Sequence, residues 1–167
     1  MAYRNQTYVC FDGDTDMHYY RLMCAWKQHE GINFNFYNAH ELNSARDTSL
    51  EMSIKRQLRE RLKNSKVLVV LVGEKTRNLR KFVRWEMEQA LFLGMPIIAV
   101  NLNGLREQDL ERCPPIIGNE LAVHISFKTA ILQHALENWY DQHIACVKQG
   151  ITGSHYYNNN VYRELGL

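Results

Sequence analysis

No apolar run in this chain approaches the roughly 18 to 20 residues needed to cross a bilayer. Residues 1–7 are polar and lack the apolar stretch of a secretion signal. We therefore expect a cytoplasmic protein with no membrane partner, in which the sequon Asn5-Gln6-Thr7 carries no meaning. The four cysteines (Cys10, Cys24, Cys113, Cys146) form no C-x-x-C pair and no zinc spacing, so they read as reduced, mostly buried thiols. The seven histidines include no H-E-x-x-H and no ligand-like pair, and no metal is expected. A strong excess of either charge is also missing: the formal net charge is +2 and the pI about 8.3, which gives no reason to expect a nucleic-acid partner. Finally, neither a G-x-G-x-x-G after the first strand nor a P-loop is present, which argues against a Rossmann dinucleotide site and a phosphate-cradling NTPase.

What is present is one domain's worth of chain, 167 residues with 46% apolar and 23% charged, the balance of an ordinary globule. Residues 7–11 (TYVCF) read as a short buried strand, and residues 12–16 as a turn rich in helix-capping side chains. Tyr19, Leu22, Met23 and Trp26 then mark one apolar helix face, stopped by Gly31. Residues 32–37 alternate as a more exposed strand. Thr48-Ser49-Leu50-Glu51 fits a capping box, opening a helix with Leu50, Ile54, Leu58 and Leu62 at four-residue steps. Residues 66–73 (KVLVVLVG) and 96–102 (PIIAVNL) are apolar throughout, the mark of strands buried on both faces in a parallel sheet.

Between them the spacing predicts a helix from about Phe82 to Leu93, closed by Gly94. Residues 105–117 read as mostly irregular, 121–127 as a fifth strand, and Leu132, Ala135, Leu136 and Trp139 as a last long helix. Strands alternating with helices argue for a doubly wound α/β fold: a five-stranded parallel sheet in the flavodoxin-like order 2-1-3-4-5, with helices on both faces. We place the domain at residues 1–149. The polar tail, 150–167, is either disordered or folded back through Tyr156, Tyr157 and Tyr162.

Ligands of such sheets bind outside the carboxyl ends of the strands. On the helix from Phe82, a 100° step per residue sets Glu86 beside Val83 and Ala90 within the apolar sector and turns Glu88 to solvent. A carboxylate so placed is costly unless paired, which makes it a candidate catalytic group. The plainer alternative is a residue at the core margin bonded to Arg84 or a backbone amide. Lys75, Arg77, Arg80, Lys81 and Arg84 precede and enter the same helix; a helix's positive end with several cations suits a pyrophosphate, though a solvated charged loop has the same composition. Asp12, Asp14 and Asp16 lack the glycine and distal glutamate of an EF-hand and read better as caps, with Asp12 or Asp14 also able to face a ligand. Phe11 is either core or a stacking surface for a flat ring. His40 is a loop histidine with the chemistry of a base but the ordinary look of an exposed side chain.

Residues 10–16 (CFDGDTD), with His18-Tyr19-Tyr20 and Ala25-Trp26, resemble the opening of TIR-like proteins of the Thoeris ThsB family. Residues 32–37, 66–74 with Thr76, and Phe82-Val83-Arg84-Trp85-Glu86-Met87 agree with that family in order, the last resembling its W-V-x-W/Y-E-I. The likeness runs over roughly residues 7–136. It implies a TIR-type fold and an enzyme in which a glutamate four residues after an aromatic cleaves the nicotinamide–ribose bond of NAD; here these are Glu86 and Phe82. By the same resemblance Phe11, Asp14 and Asn38 match the family's pocket, and Asp12 and Arg84 join them as substrate-binding candidates. NAD is then a substrate, with no permanently bound cofactor. The product is an ADP-ribose-derived signal sensed by a separate effector protein, and TIR surfaces allow a homo-oligomer. Phe82 stands where tryptophan is more usual, and Cys10 where serine or another small residue is common. Two other readings stay open: a non-catalytic TIR scaffold, and a nucleoside deoxyribosyltransferase-like enzyme, whose glutamate also attacks an anomeric carbon.

Overall fold

The computed structural model describes residues 6–29, 35–38 and 51–167. Six strands pair in parallel in the order β2-β1-β3-β4-β5-β6. They are β1 (Gln6–Cys10), β2 (Asn35–Asn38), β3 (Val67–Val72), β4 (Ile97–Asn101), β5 (Ala122–Ser126) and β6 (Ser154–Tyr156). The helices are α1 (Met17–His29), α2 (Glu51–Lys63), α3 (Phe82–Phe92), α4 (Pro115–Gly118), α5 (Thr129–Lys148) and α6 (Asn159–Glu164). The first five strands take the order read from the sequence. The sixth comes from the polar tail, which the five-strand reading left out.

Strand alternation divides the interior into two cores, one on each face of the sheet. Val9, Val69, Leu71, Ile98, Val100, Val123 and Ile125 point to the face covered by α1 and α5. Tyr8, Cys10, Leu68, Val70, Val72, Ile97 and Ala99 point to the face covered by α2, α3 and α4. Every residue of β3 and β4 is fully buried, as their unbroken apolar runs require. On α2, Ile54, Leu58 and Leu62 are buried at the expected four-residue step, while Leu50 and the cap Thr48 lie outside the described residues. Gly94, with φ of +65°, ends α3 in the left-handed conformation that glycine adopts without strain. The segment before β5 is less irregular than its composition suggests: Pro114 and Pro115 begin the short turn α4, where a missing amide hydrogen costs nothing.

The tail is built into the domain. β6 pairs with β5 from Ala122↔Ser154 to His124↔Tyr156. Asn158 caps α6 by accepting hydrogen bonds from the amides of Asn160 and Val161. Tyr162 is fully buried in the α1/α5 core, and its hydroxyl accepts a hydrogen bond from the Ser126 amide at 3.2 Å. The Arg106 guanidinium lies 4.2 Å from the Tyr162 ring centroid. None of the described helices is long and apolar enough to cross a membrane.

Candidate functional site

α3 crosses beneath β1 and carries Glu86 on its buried side. The side chain is 1% exposed, as its helical phase predicts, and Glu88 is exposed on the opposite side. Tyr8 and Cys10, two residues apart on β1, project to the same face of the sheet and meet α3 there. The Tyr8 hydroxyl donates a hydrogen bond to Glu86 Oε1 at 3.1 Å. The Cys10 thiol lies 3.7 Å from the Val83 carbonyl, one turn back along α3. Burial, followed by the negative charge of Glu86, drives the Tyr8 phenol far above its ordinary range, so it stays a proton donor. Burial and then Glu86 likewise hold the Cys10 thiol well above its usual value. Both groups beside Glu86 are therefore neutral, the Tyr8 hydroxyl donating to Glu86 and the Cys10 thiol to the Val83 carbonyl. Arg84 forms its ion pair with Glu88, at 2.9 Å, on the exposed face.

Phe82 is half-buried at the start of α3 and packs against the same core as Glu86. Phe11 lies elsewhere. It is 5% exposed, belongs to the core on the other face, and stacks on Tyr20 with ring centroids 4.9 Å apart and an interplanar angle of 8°. Asn38 ends β2 opposite Val9, at the carboxyl edge of the sheet. The loop that follows it, His40 included, lies outside the described residues.

The acidic turn after β1 divides its work. Asp12 is buried and holds the turn: one carboxylate oxygen accepts from the Asp14 amide at 3.0 Å, the other from the Thr15 hydroxyl. Asp14 is exposed. Asp16 is 6% exposed and packs onto Gly73, just after β3. A Cβ at position 73 would collide with its carboxylate, and among the described residues Asp16 Oδ2 has no hydrogen-bond partner. Burial, then the charge of Asp12, raises the Asp16 pKa. The described residues contain no group of three His, Cys, Asp or Glu side chains arranged to hold a metal ion.

Tyr8 is the site residue that composition alone did not single out. Its signal was nonetheless readable: a phenol in an otherwise apolar strand, in phase with Cys10, on a face that must meet a helix.

A parallel sheet whose first five strands run 2-1-3-4-5, with helices on both faces, defines a flavodoxin-like domain. The family model for the TIR-like domain of the Thoeris protein ThsB matches residues 8–107, and the chain belongs to that family. With membership comes a role in Thoeris defence. A conserved protein from Enterococcus faecalis V583 has a solved structure similar to this one at 15% identity, over 97% of each chain, with a TM-score of 0.47. That likeness is too distant to bear on function.

Proposed function

We propose that this chain is an NAD-cleaving enzyme that releases nicotinamide and makes an ADP-ribose-derived signal. The observation that carries the reading is Glu86, a buried carboxylate at the family's glutamate position, held by a hydrogen bond from Tyr8 with the neutral Cys10 thiol close by. The hydrogen bond from Tyr8 fixes the carboxylate, and a carboxylate held in place in a low-dielectric setting acts strongly on a cation that forms beside it.

Cleavage of the nicotinamide–ribose bond sends the bonding electrons to the pyridinium nitrogen, so nicotinamide leaves neutral and the ribose becomes an oxocarbenium-like cation. Glu86 stabilises that cation electrostatically or bonds to its anomeric carbon. An acceptor then supplies the electron pair: water gives ADP-ribose, an adenine nitrogen gives a cyclic product, and another nucleophile gives a conjugate. The product passes to a separate effector protein, and association of copies through TIR surfaces accompanies activity.

A second reading has its own support. The 1% exposure of Glu86 and its bond to Tyr8 also suit a structural tie between α3 and β1 in a non-catalytic scaffold. Purified protein incubated with NAD, with nicotinamide release followed against Glu86→Gln, separates the two. The enzyme reading expects release that falls by at least about 100-fold in the variant. Release that survives unchanged removes Glu86 from the chemistry. Turnover of deoxynucleosides in place of NAD points to the deoxyribosyltransferase reaction.

A further inference from the structure

On the flank of α3 away from Tyr8 lies a cavity of about 590 Å³, within the range of small-molecule pockets. Arg77, Arg80, Arg84, Met87, Pro114 and Pro115 line it. Glu86 turns toward β1, whereas the cavity opens between the start of α3 and the turn α4, which packs toward β5. Three members of the basic cluster, Arg77, Arg80 and Arg84, thus line a concave space walled by prolines, whereas Lys75 and Lys81 do not.

The three guanidiniums differ in commitment. Arg77 is anchored, donating to the carbonyls of Leu110 at 2.9 Å and Cys113 at 3.2 Å. Arg84 is braced by Glu88. Arg80 is exposed and, among the described residues, makes no hydrogen bond or ion pair. Among the described residues no acidic side chain lines the cavity, and Glu88 and Glu74 are committed elsewhere, to Arg84 and, at 3.7 Å, to Arg112. α3 also begins here without a side-chain cap, since Lys81 supplies no accepting oxygen. One carboxylate would leave most of this positive charge unanswered. A group with two or more negative charges and several acceptor oxygens matches it, and guanidinium forks suit phosphate oxygens in particular.

We propose that this cavity is a second ligand site, separate from the Glu86 site, that binds a phosphate-bearing small molecule through Arg77, Arg80 and Arg84. The phosphate belongs either to a nucleotide such as ADP-ribose or to free pyrophosphate. The inference does not depend on NAD cleavage.

The probes are inorganic pyrophosphate and ADP-ribose, titrated calorimetrically into the full chain at low and at raised salt. Binding that weakens with salt, and weakens about tenfold or more in Arg80→Gln, is the expected result. Because Arg80 is exposed and unbonded, that variant keeps its unliganded melting temperature. Tighter binding of ADP-ribose assigns the site to a nucleotide; binding of pyrophosphate alone assigns it to the free anion. Glu86→Gln leaves pyrophosphate binding intact even if it ends NAD cleavage. The proposal is overturned if neither probe binds, if Arg80→Gln binds as well as the unaltered chain, or if Glu86→Gln abolishes pyrophosphate binding.

Discussion

The Tyr8 hydroxyl and Glu86 Oε1 stand 3.1 Å apart, joining the first strand to a helix 78 residues further along the chain. This bond fixes the rotation of α3 about its axis at the one position where a carboxylate enters the core. Tyr8→Phe keeps the ring and removes the donor. The expected cost is about 1–3 kcal/mol, read from chemical denaturation, with nicotinamide release falling about 10-fold or more if the proposed chemistry holds. Because the two groups touch, Tyr8→Phe with Glu86→Gln should be non-additive. Additive losses in stability would show that the contact contributes nothing.

His124, fully buried on β5, has neither ring nitrogen hydrogen-bonded among the described residues, and burial lowers its pKa to about 4 from 6.5. Below pH 6.5 the unfolded chain takes up a proton that the folded chain refuses. Stability is therefore complete above pH 6.5, declines as pH falls toward 4, and levels off below. The loss from this group is about 3 kcal/mol. Denaturation midpoints measured across that window should show the slope, and His124→Leu should flatten much of it. His143, also lowered by burial, keeps a remainder in the same direction.

Asp16 acts with the opposite sign. Its raised pKa means that the folded chain resists losing the proton, so the buried carboxylate weakens the fold above that pKa and has no such effect below about 3.8. Asp16→Asn should raise the melting temperature at pH 7 and lose this advantage near pH 3. The variant also removes a negative charge from the start of α1, worth about 0.3–1 kcal/mol. Relief of a buried carboxylate whose Oδ2 has no partner among the described residues, at about 1–3 kcal/mol, exceeds that. A lower melting temperature at pH 7 would contradict the assignment.

Tyr162 tests the tail. Tyr162→Ala empties a fully buried ring position and should cost about 3–5 kcal/mol. For a domain of this size that lowers the melting temperature by about 10 °C. Tyr162→Phe keeps the ring but leaves the Ser126 amide without its partner, a loss of about 1–3 kcal/mol. A tail that merely rested on the surface would give almost no change in either variant.

Features governed by local pattern were legible in the sequence. β3 and β4 announced themselves by unbroken apolar runs, and the phase of α3 separated buried Glu86 from exposed Glu88. β6 was not legible: Ser154, His155 and Tyr156 have neither length nor alternation, and become a strand only because β5 offers them an edge. The acidic turn was recognisable as a turn, but which aspartate would be buried depended on Gly73, 57 residues away from Asp16 in the chain. The likeness to the TIR family pointed to Glu86 as a residue. Tyr8 and Cys10 could be read as one face of β1, but their meeting with Glu86 emerged only when α3 was laid across β1.

Tyr162 has one more implication, for the order of events during synthesis. The ring completes a core that also contains Val9, Phe11 and Met23, made well over a hundred residues earlier. A nascent chain can form strand pairs and helices as it emerges, but that core stays open until residue 162 has left the ribosome. At roughly 5–20 residues per second, about 8–30 seconds separate the first strand from the closing ring. From the emergence of β5 until residues 154–156 follow, that strand presents an unpaired edge.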